Sequence, residues 1–239
     1  MMIKNDDVTI GFEVETTTDY SYSEIEDWFF NHNVEVDNVD DDGSLSSDYY
    51  SYCLEVKTKP VVYQSIDYQN FFEALKTGVN EGVLNFNETT GLHFHVSLKK
   101  NKSLLPLVIS KQDIIKYEDM IKKDFNTLWV ERAKNDYCTA YSVLNHSFDD
   151  EVSIMSGSRY RSVNLKSFQA HHTIEFRFFS GNALKLDGAW YYRDFVEASV
   201  NWLLDVVSKD FRKPLVKTKL DINKQVLVKN KKEGVINYV

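Results

Sequence analysis

Polar and apolar residues alternate one for one in four segments of the chain: Gly11-Phe-Glu-Val-Glu, Leu54-Glu-Val-Lys, Gly91-Leu-His-Phe-His-Val and Thr173-Ile-Glu-Phe-Arg-Phe. Successive side chains of a strand point to opposite faces, so residues i and i+2 share a face roughly 7 Å apart. Each segment therefore predicts a strand with one apolar face: Ile10, Phe12, Val14; Leu54, Val56; Leu92, Phe94, Val96; Ile174, Phe176, Phe178. The opposite faces carry Glu13 and Glu15, Glu55 and Lys57, His93 and His95, and Glu175 and Arg177. In a single sheet these strands have a core on one side. The other side is a floor of carboxylates, imidazoles and a guanidinium.

Between these strands the pattern shifts to helical spacing and turn residues. Val8–Glu15 reads as the first strand and Ser23–His32 as a short helix, with Ser23 and Glu26 spaced as a capping box. Val34–Val39 predicts a second strand and Asp40-Asp-Asp-Gly-Ser a turn. The Ser/Tyr/Asp run Ser44–Tyr52 reads as an exposed loop before the strand Cys53–Thr58, which Pro60 ends. Phe71, Phe72, Leu75 and Val79 predict a helix over Ile66–Asn80, and the histidine strand spans His93–Leu98. The longest helix is expected over Lys111–Tyr137, with Ile114, Tyr117, Ile121, Phe125 and Leu128 as its buried stripe. Ser147–Ser158 reads as a mobile loop able to close over a site. Strands follow over Tyr160–Lys166 and His172–Phe179. Asp187 caps a last helix, 187–210, and the Lys-rich tail 213–239 is peripheral. With no repeat and no linker, residues 1–239 are expected to form one α+β domain, a mainly antiparallel sheet backed by helices.

Composition narrows the partners. With 15 Phe and 14 Tyr against 3 Pro and 9 Gly, the chain has the makings of an aromatic core rather than a linker. A net charge of -8 argues against nucleic acid, whose phosphates need a basic face. Part of that negative charge fits metal-ligand carboxylates. Cys53 and Cys138 form neither a CxxC pattern nor a disulfide framework, and the amino terminus has no signal-peptide pattern, so a cytoplasmic location is expected. No apolar stretch approaches the roughly 18–20 residues of a membrane span.

Carboxylates two residues apart repel one another and resist desolvation, so a partly enclosed cluster calls for a cation or several good donors. Glu13, Glu15, Glu55 and Glu175, with Asp42 from the turn, offer oxygens, and His93 or His95 a nitrogen. That donor set suits magnesium, with manganese as the alternative, better than a dedicated zinc site. Ions among carboxylates commonly hold nucleotide phosphates, whose oxygens Arg177, Arg159 and Arg161 could neutralise. No GxxxxGK loop occurs, so nucleotide binding would run through metals and arginines. Taken one at a time, each pair also fits a solvated face or, for Glu175 with Arg177, an ion pair. Cys53 reads as an inert thiol and Lys57 as a counter-charge. The shared polarity of all four strands is what favours a site.

Six motifs in order carry a resemblance: Gly11-Phe-Glu-Val-Glu, Asp42-Gly-Ser, Leu54-Glu-Val-Lys-Thr-Lys-Pro, Gly91-Leu-His-Phe-His-Val, Arg161-Ser-Val-Asn and Thr173-Ile-Glu-Phe-Arg-Phe-Phe-Ser-Gly. Over about residues 8–181 the chain resembles the putative amidoligase family, which belongs with the glutamine synthetase and glutamate–cysteine ligase group of carboxylate–amine ligases. The resemblance implies a glutamine synthetase-like catalytic domain, a curved antiparallel sheet with helices on its outer face. Its concave face would bind ATP and magnesium.

By motif, Glu15, Asp42 and Glu55 resemble ligands of a metal near the substrates, and Glu13, His93 and Glu175 ligands of a metal on the nucleotide phosphates. His95 fits a second ligand or a hydrogen-bonding neighbour. Arg177 resembles the arginine that stabilises the transferred phosphoryl group. Arg161 and Arg159 resemble phosphate- or substrate-binding arginines, and Asn164 a polar site residue. The extra positive charge of Lys57 and Lys59 departs from many relatives and would suit an acidic substrate. The implied function is an ATP- and Mg2+-dependent ligase joining a carboxylate to an amine, substrate partners of small-molecule or peptide size, through an acyl phosphate. The same floor would also serve a metal-dependent hydrolase, or a non-catalytic module for peptide binding or assembly.

Overall fold

In the computed structural model, β1 (Val8–Thr18) runs inside a seven-stranded sheet, with Val8, Ile10, Phe12 and Val14 buried on one side. The structure describes residues 5–99, 109–133, 135–136, 138–143 and 159–212, the side chains of 5, 186–187 and 210–212 excepted. The expected loop Ser147–Ser158, the tail past Lys213 and the capping side chain of Asp187 lie outside the described residues. The strand order is β2-β3-β1-β5-β7-β6, from β2 (Val36–Asp41), β3 (Tyr52–Thr58), β5 (Gly91–Leu98), β7 (Ile174–Ser180) and β6 (Val163–Asn164). A short β4 (Val61–Val62), formed just after Pro60, pairs with the start of β1. Among the described residues every strand pairing is antiparallel, and only an isolated Thr139–Arg161 bridge is parallel.

Helices cover the apolar face. Phe12 stacks on Phe71 of α2 (Ile66–Glu81), rings 3.7 Å apart, and Phe94 stacks on Phe176 at 4.8 Å. Tyr192 and Phe195 of α6 (Gly181–Arg212) and Tyr117 of α3 (Lys111–Asp124) close over these rings. Each such side chain contributes about 1.5–3 kcal/mol by leaving water. That burial is what holds the strands in place while their other face stays polar. α1 (Tyr22–Asn31) buries Ile25 and Phe29.

Several elements begin or end away from their expected positions, each for a local reason. The capping box of α1 is Ser21 with Glu24, two residues before the expected pair; the Glu24 carboxylate accepts the Ser21 N–H at 2.7 Å. The expected helix Lys111–Tyr137 breaks at Phe125, whose non-helical backbone (φ -132°, ψ 52°) sends its ring against Tyr191 and Phe195. A separate helix, α4 (Asn126–Arg132), then starts. The expected strand Tyr160–Lys166 contracts to β6, and α5 (Ser167–His171) follows it. The last helix starts at Gly181 rather than 187 and is interrupted at Gly188, whose φ of 83° a side chain would strain.

β7 departs from strict alternation. Phe94 pairs with Phe176 but Leu92 with Phe179, so β7 carries one extra residue as a bulge. Phe179 thereby joins Phe176 against the helices, touching Tyr192 and Phe195, while Phe178 stacks on Trp129 of α4. The expected apolar face of Ile174, Phe176 and Phe178 is thus split at its last position.

One carboxylate sits in the buried stripe of α3. Glu118 is fully buried and accepts from the Tyr141 and Ser142 N–H groups at 2.7 and 2.8 Å and from Ser162 Oγ at 2.5 Å. It ties α3 to the segments that carry Arg161 and Asn164. Glu118→Ala is expected to destabilise the protein by about 3 kcal/mol or more, since each buried donor left unpaired costs about 1–3 kcal/mol. Urea unfolding checks this, and a wild-type midpoint would refute the anchoring role.

Candidate active site

Strand register assembles the polar floor. Glu13 stands opposite Lys57 on one side and His93 on the other, Glu15 opposite Glu55, and His95 opposite Glu175. Two groups of potential ligands result, Glu13/His95/Glu175 and Glu15/Asp42/Glu55, each with one donor atom per residue within 4.8 Å of the others. These are the carboxylates expected from the sequence, with His95 completing the first group. Asp42 arrives from the end of β2, where its Oδ1 also accepts from the Ser44 N–H and hydroxyl at 2.8 and 2.6 Å.

His93 lies between the groups. Its Nδ1 is 3.5 Å from Glu13 Oε2 and 4.0 Å from Glu175 Oε1, and its Nε2 is 3.7 Å from Glu15 Oε1. It is 1% exposed, and neither ring nitrogen makes a hydrogen bond. His95 is held differently. Its Nδ1 meets Thr173 Oγ1 at 2.9 Å and Ser167 Oγ at 3.1 Å, which leaves Nε2 3.1 Å from Glu13 Oε1. Ser167 comes from α5, so that short helix orients a site imidazole.

Arg177 is mostly buried and its Nη1 donates to Glu175 Oε1. The other oxygen of Glu175 accepts from Asn164 Nδ2 at 2.6 Å, because Asn164 on β6 stands opposite Glu175. The guanidinium carbon of Arg159 lies 4.8 Å from the ring centre of Tyr160, and that of Arg177 lies 5.8 Å from the same ring. Arg161 is 5.8 Å from the ring of Tyr141. Lys57 bonds Glu55 at 2.5 Å and Asp40 at 3.4 Å, while Lys59 pairs with Glu35 at the surface. Cys53 is half-buried; burial, then Asp42 and Asp41, push its thiol pKa upward, which suits an inert group.

Sequence reasoning missed Arg132, Ser167 and Glu118. Arg132 closes α4 and is 5% exposed. A Cβ placed on Gly91 would lie 2.9 Å from Glu15 Oε2, 3.0 Å from His93 Nε2 and 3.1 Å from Arg132 Nη2. Three polar groups thus converge on one glycine. Glu118 was detectable as a carboxylate four residues after Ile114 in an apolar stripe; Arg132 carried no such signal.

The model of the family described as "putative amidoligase enzyme" matches residues 8–190, which takes in every strand of this floor. The chain belongs to that family. No curated protein matches it. Membership makes it a ligase-type enzyme. No helix among the described residues is long and apolar enough to cross a membrane.

Charge at the first group of the amidoligase is set by its imidazoles. Burial opposes ionisation of Glu13, but His93 and His95 beside it hold the carboxyl well below the ordinary range. Burial likewise opposes protonation of His95, yet Glu13 and Glu175 raise its pKa above the ordinary 6.5. Burial and the charge of Glu13 raise Glu55, with Lys57 pulling the other way. Burial would lower Arg177, and Glu175 outweighs it.

A raised folded-state pKa means that His95 stabilises the fold below pH 6.5, and that this contribution is lost as pH rises through the folded value. Without divalent ions, stability should therefore fall as pH rises above 6.5, and His95→Gln should flatten that part of the profile. Thermal unfolding across pH in chelator checks the slope; an identical slope in the variant would refute the assignment.

Proposed function

We propose that this amidoligase is an ATP- and Mg2+-dependent ligase that joins a carboxylate to an amine through an acyl phosphate. The observation that carries the proposal is the pair of adjacent carboxylate-rich groups on one sheet face of a ligase-type chain. In the glutamine synthetase-like arrangement implied by the resemblance, this face would receive the nucleotide.

The residues fit divalent ions on three grounds. Glu15 and Glu55 stand directly opposite each other, a like-charge pair that disfavours the sheet, and Lys57 pairs with Glu55 but not with Glu15 among the described residues. His93 is a buried imidazole with no hydrogen bond, set within 4.0 Å of three carboxylates. The donor set is mainly carboxylate oxygen, as magnesium prefers. Glu13, His95 and Glu175, with His93 beside them, would hold the phosphate-side ion. Glu15, Asp42 and Glu55 would hold the substrate-side ion. Bound there, the ions would supply positive charge against the phosphate oxygens and the activated carboxylate.

A carboxylate and an amine do not condense near neutral pH, since both are ionised and hydroxide is a poor leaving group. In the proposed sequence a carboxylate oxygen attacks the γ-phosphorus and ADP leaves. The amine, after losing a proton, attacks the acyl carbon and phosphate leaves. Arg177 would disperse charge on the phosphoryl group in transit. Asn164 would keep Glu175 turned toward its ion while Arg177 exchanges Glu175 for phosphate oxygens. Arg161 and Arg159, resting on tyrosine rings, would meet phosphate or substrate oxygens. Thr173 and Ser167 would fix the His95 ring with Nε2 inward, as hydrogen-bonded partners of ligating histidines do.

Mg2+ with a non-hydrolysable ATP analogue should raise the melting temperature by mass action, and no shift at millimolar ligand would count against the proposal. An ADP-release screen pairing candidate acids with candidate amines, followed by mass measurement of products, tests the reaction. ADP release should require both substrates, whereas a hydrolase on the same floor would act without ATP. Arg177→Ala should lower turnover by about 10²-fold or more while leaving the fold intact. Near-normal turnover would remove its phosphate role.

A further inference from the structure

The site contains a cation that the proposed metal and phosphate chemistry does not use. Arg132 is 95% buried by its 5% exposure, at the C-terminal end of α4. Its side-chain hydrogen bond is a long one, Nη2 to the carbonyl of Arg177 at 3.4 Å, and its buried Nε has no hydrogen-bond partner. A buried guanidinium whose Nε has no partner and whose Nη2 bond is long carries an unmet cost that an anion would offset. None of the ion pairs among the described residues supplies that anion to Arg132.

The location of Arg132 indicates which anion is expected. Nη2 converges with Glu15 Oε2 and His93 Nε2 on the point where a Cβ of residue 91 would stand, and glycine keeps that point open. Glu15 belongs to the substrate-side group with Asp42 and Glu55, whereas Arg177 is bonded to Glu175 of the other group. The Arg177 guanidinium is thus engaged by Glu175, whereas that of Arg132 faces the Glu15 side of Gly91. Trp129 of α4 stacks on the bulged Phe178, and Glu131 of the same helix accepts from Ser180 Oγ. Both contacts hold α4 against β7 and so hold Arg132 over Gly91.

We propose that Arg132 is a substrate-binding residue that receives the carboxylate group of the acid substrate above Gly91, beside Glu15. This assignment rests on the ligase reading for the word substrate, but the carboxylate site itself is testable without nucleotide. Arg132 grips the carboxylate through its fork of donors. Lys57 cannot take this part, because Glu55 and Asp40 already bind it.

The test titrates wild-type protein with acetate, succinate and L-glutamate at constant ionic strength, with and without Mg2+ and the ATP analogue, following melting temperature and heat of binding. At least one of the three should bind the wild type. Arg132→Ala should weaken it by at least about tenfold, the loss expected for charge-assisted hydrogen bonds. Arg177→Ala should retain carboxylate binding. Gly91→Ala, which keeps every charge but fills the convergence point, should lose it; this variant also guards against a folding defect in Arg132→Ala. The proposal is overturned if the wild type binds none of the three acids, if Arg132→Ala binds as the wild type does, or if the Arg177 and Arg132 variants lose binding alike. Loss of the nucleotide response alone would sink the ligase reading and leave the carboxylate result to stand separately.

Discussion

The site depends first on the register of β1 between its two neighbours. Glu13 opposite His93, Glu15 opposite Glu55, and His95 opposite Glu175 are consequences of three antiparallel pairings. Side chains alternate faces, so a slip of one residue would turn the carboxylates into the core and the phenylalanines into water. The core prevents such a slip. Phe12 on Phe71 and Phe94 on Phe176, under Tyr192 and Phe195, fix each strand by its apolar face, and the polar face inherits the same register. The packing therefore holds in place a set of like charges that would otherwise separate.

That tension is met partly within the protein. Lys57 takes Glu55, Arg177 and Asn164 take Glu175, and the imidazoles take Glu13. What remains without a hydrogen-bond partner among the described residues lies on the same face: the ring nitrogens of His93 and the Nε of Arg132. A surface network of ion pairs would leave no such remainder. Buried groups kept short of partners on one face are what the proposed binding of metal, nucleotide and substrate would complete.

The supporting elements act at a distance from the chemistry. Glu118 binds α3 to Tyr141, Ser142 and Ser162, the last of them between Arg161 and Asn164, and α5 brings Ser167 to His95. The β7 bulge sends Phe178 to Trp129, and α4 carries Arg132 with it. Each device spends one irregular residue, a buried carboxylate or an extra strand position, to position a functional one.

The alternation of Glu, His and Arg with Phe, Val and Leu determined that these strands have one charged face, because the two-residue period of a strand follows from backbone geometry alone. The order of the motifs carried the family, and the carboxylates of both groups of potential ligands could be named from it. Other features needed the third dimension. The break at Phe125 depends on where Tyr191 and Phe195 await its ring, and the bulge on which of three consecutive β7 positions finds room against α6. Whether His93 or His95 joins Glu13 and Glu175 turns on hydroxyls from Ser167 and Thr173, one of them on a helix the periodicity did not reveal. Arg132 was invisible for the same reason: its meaning comes from Gly91, which is distant in sequence and adjacent only after folding. Local pattern decides which face of an element is polar. Only packing between elements decides which polar groups meet.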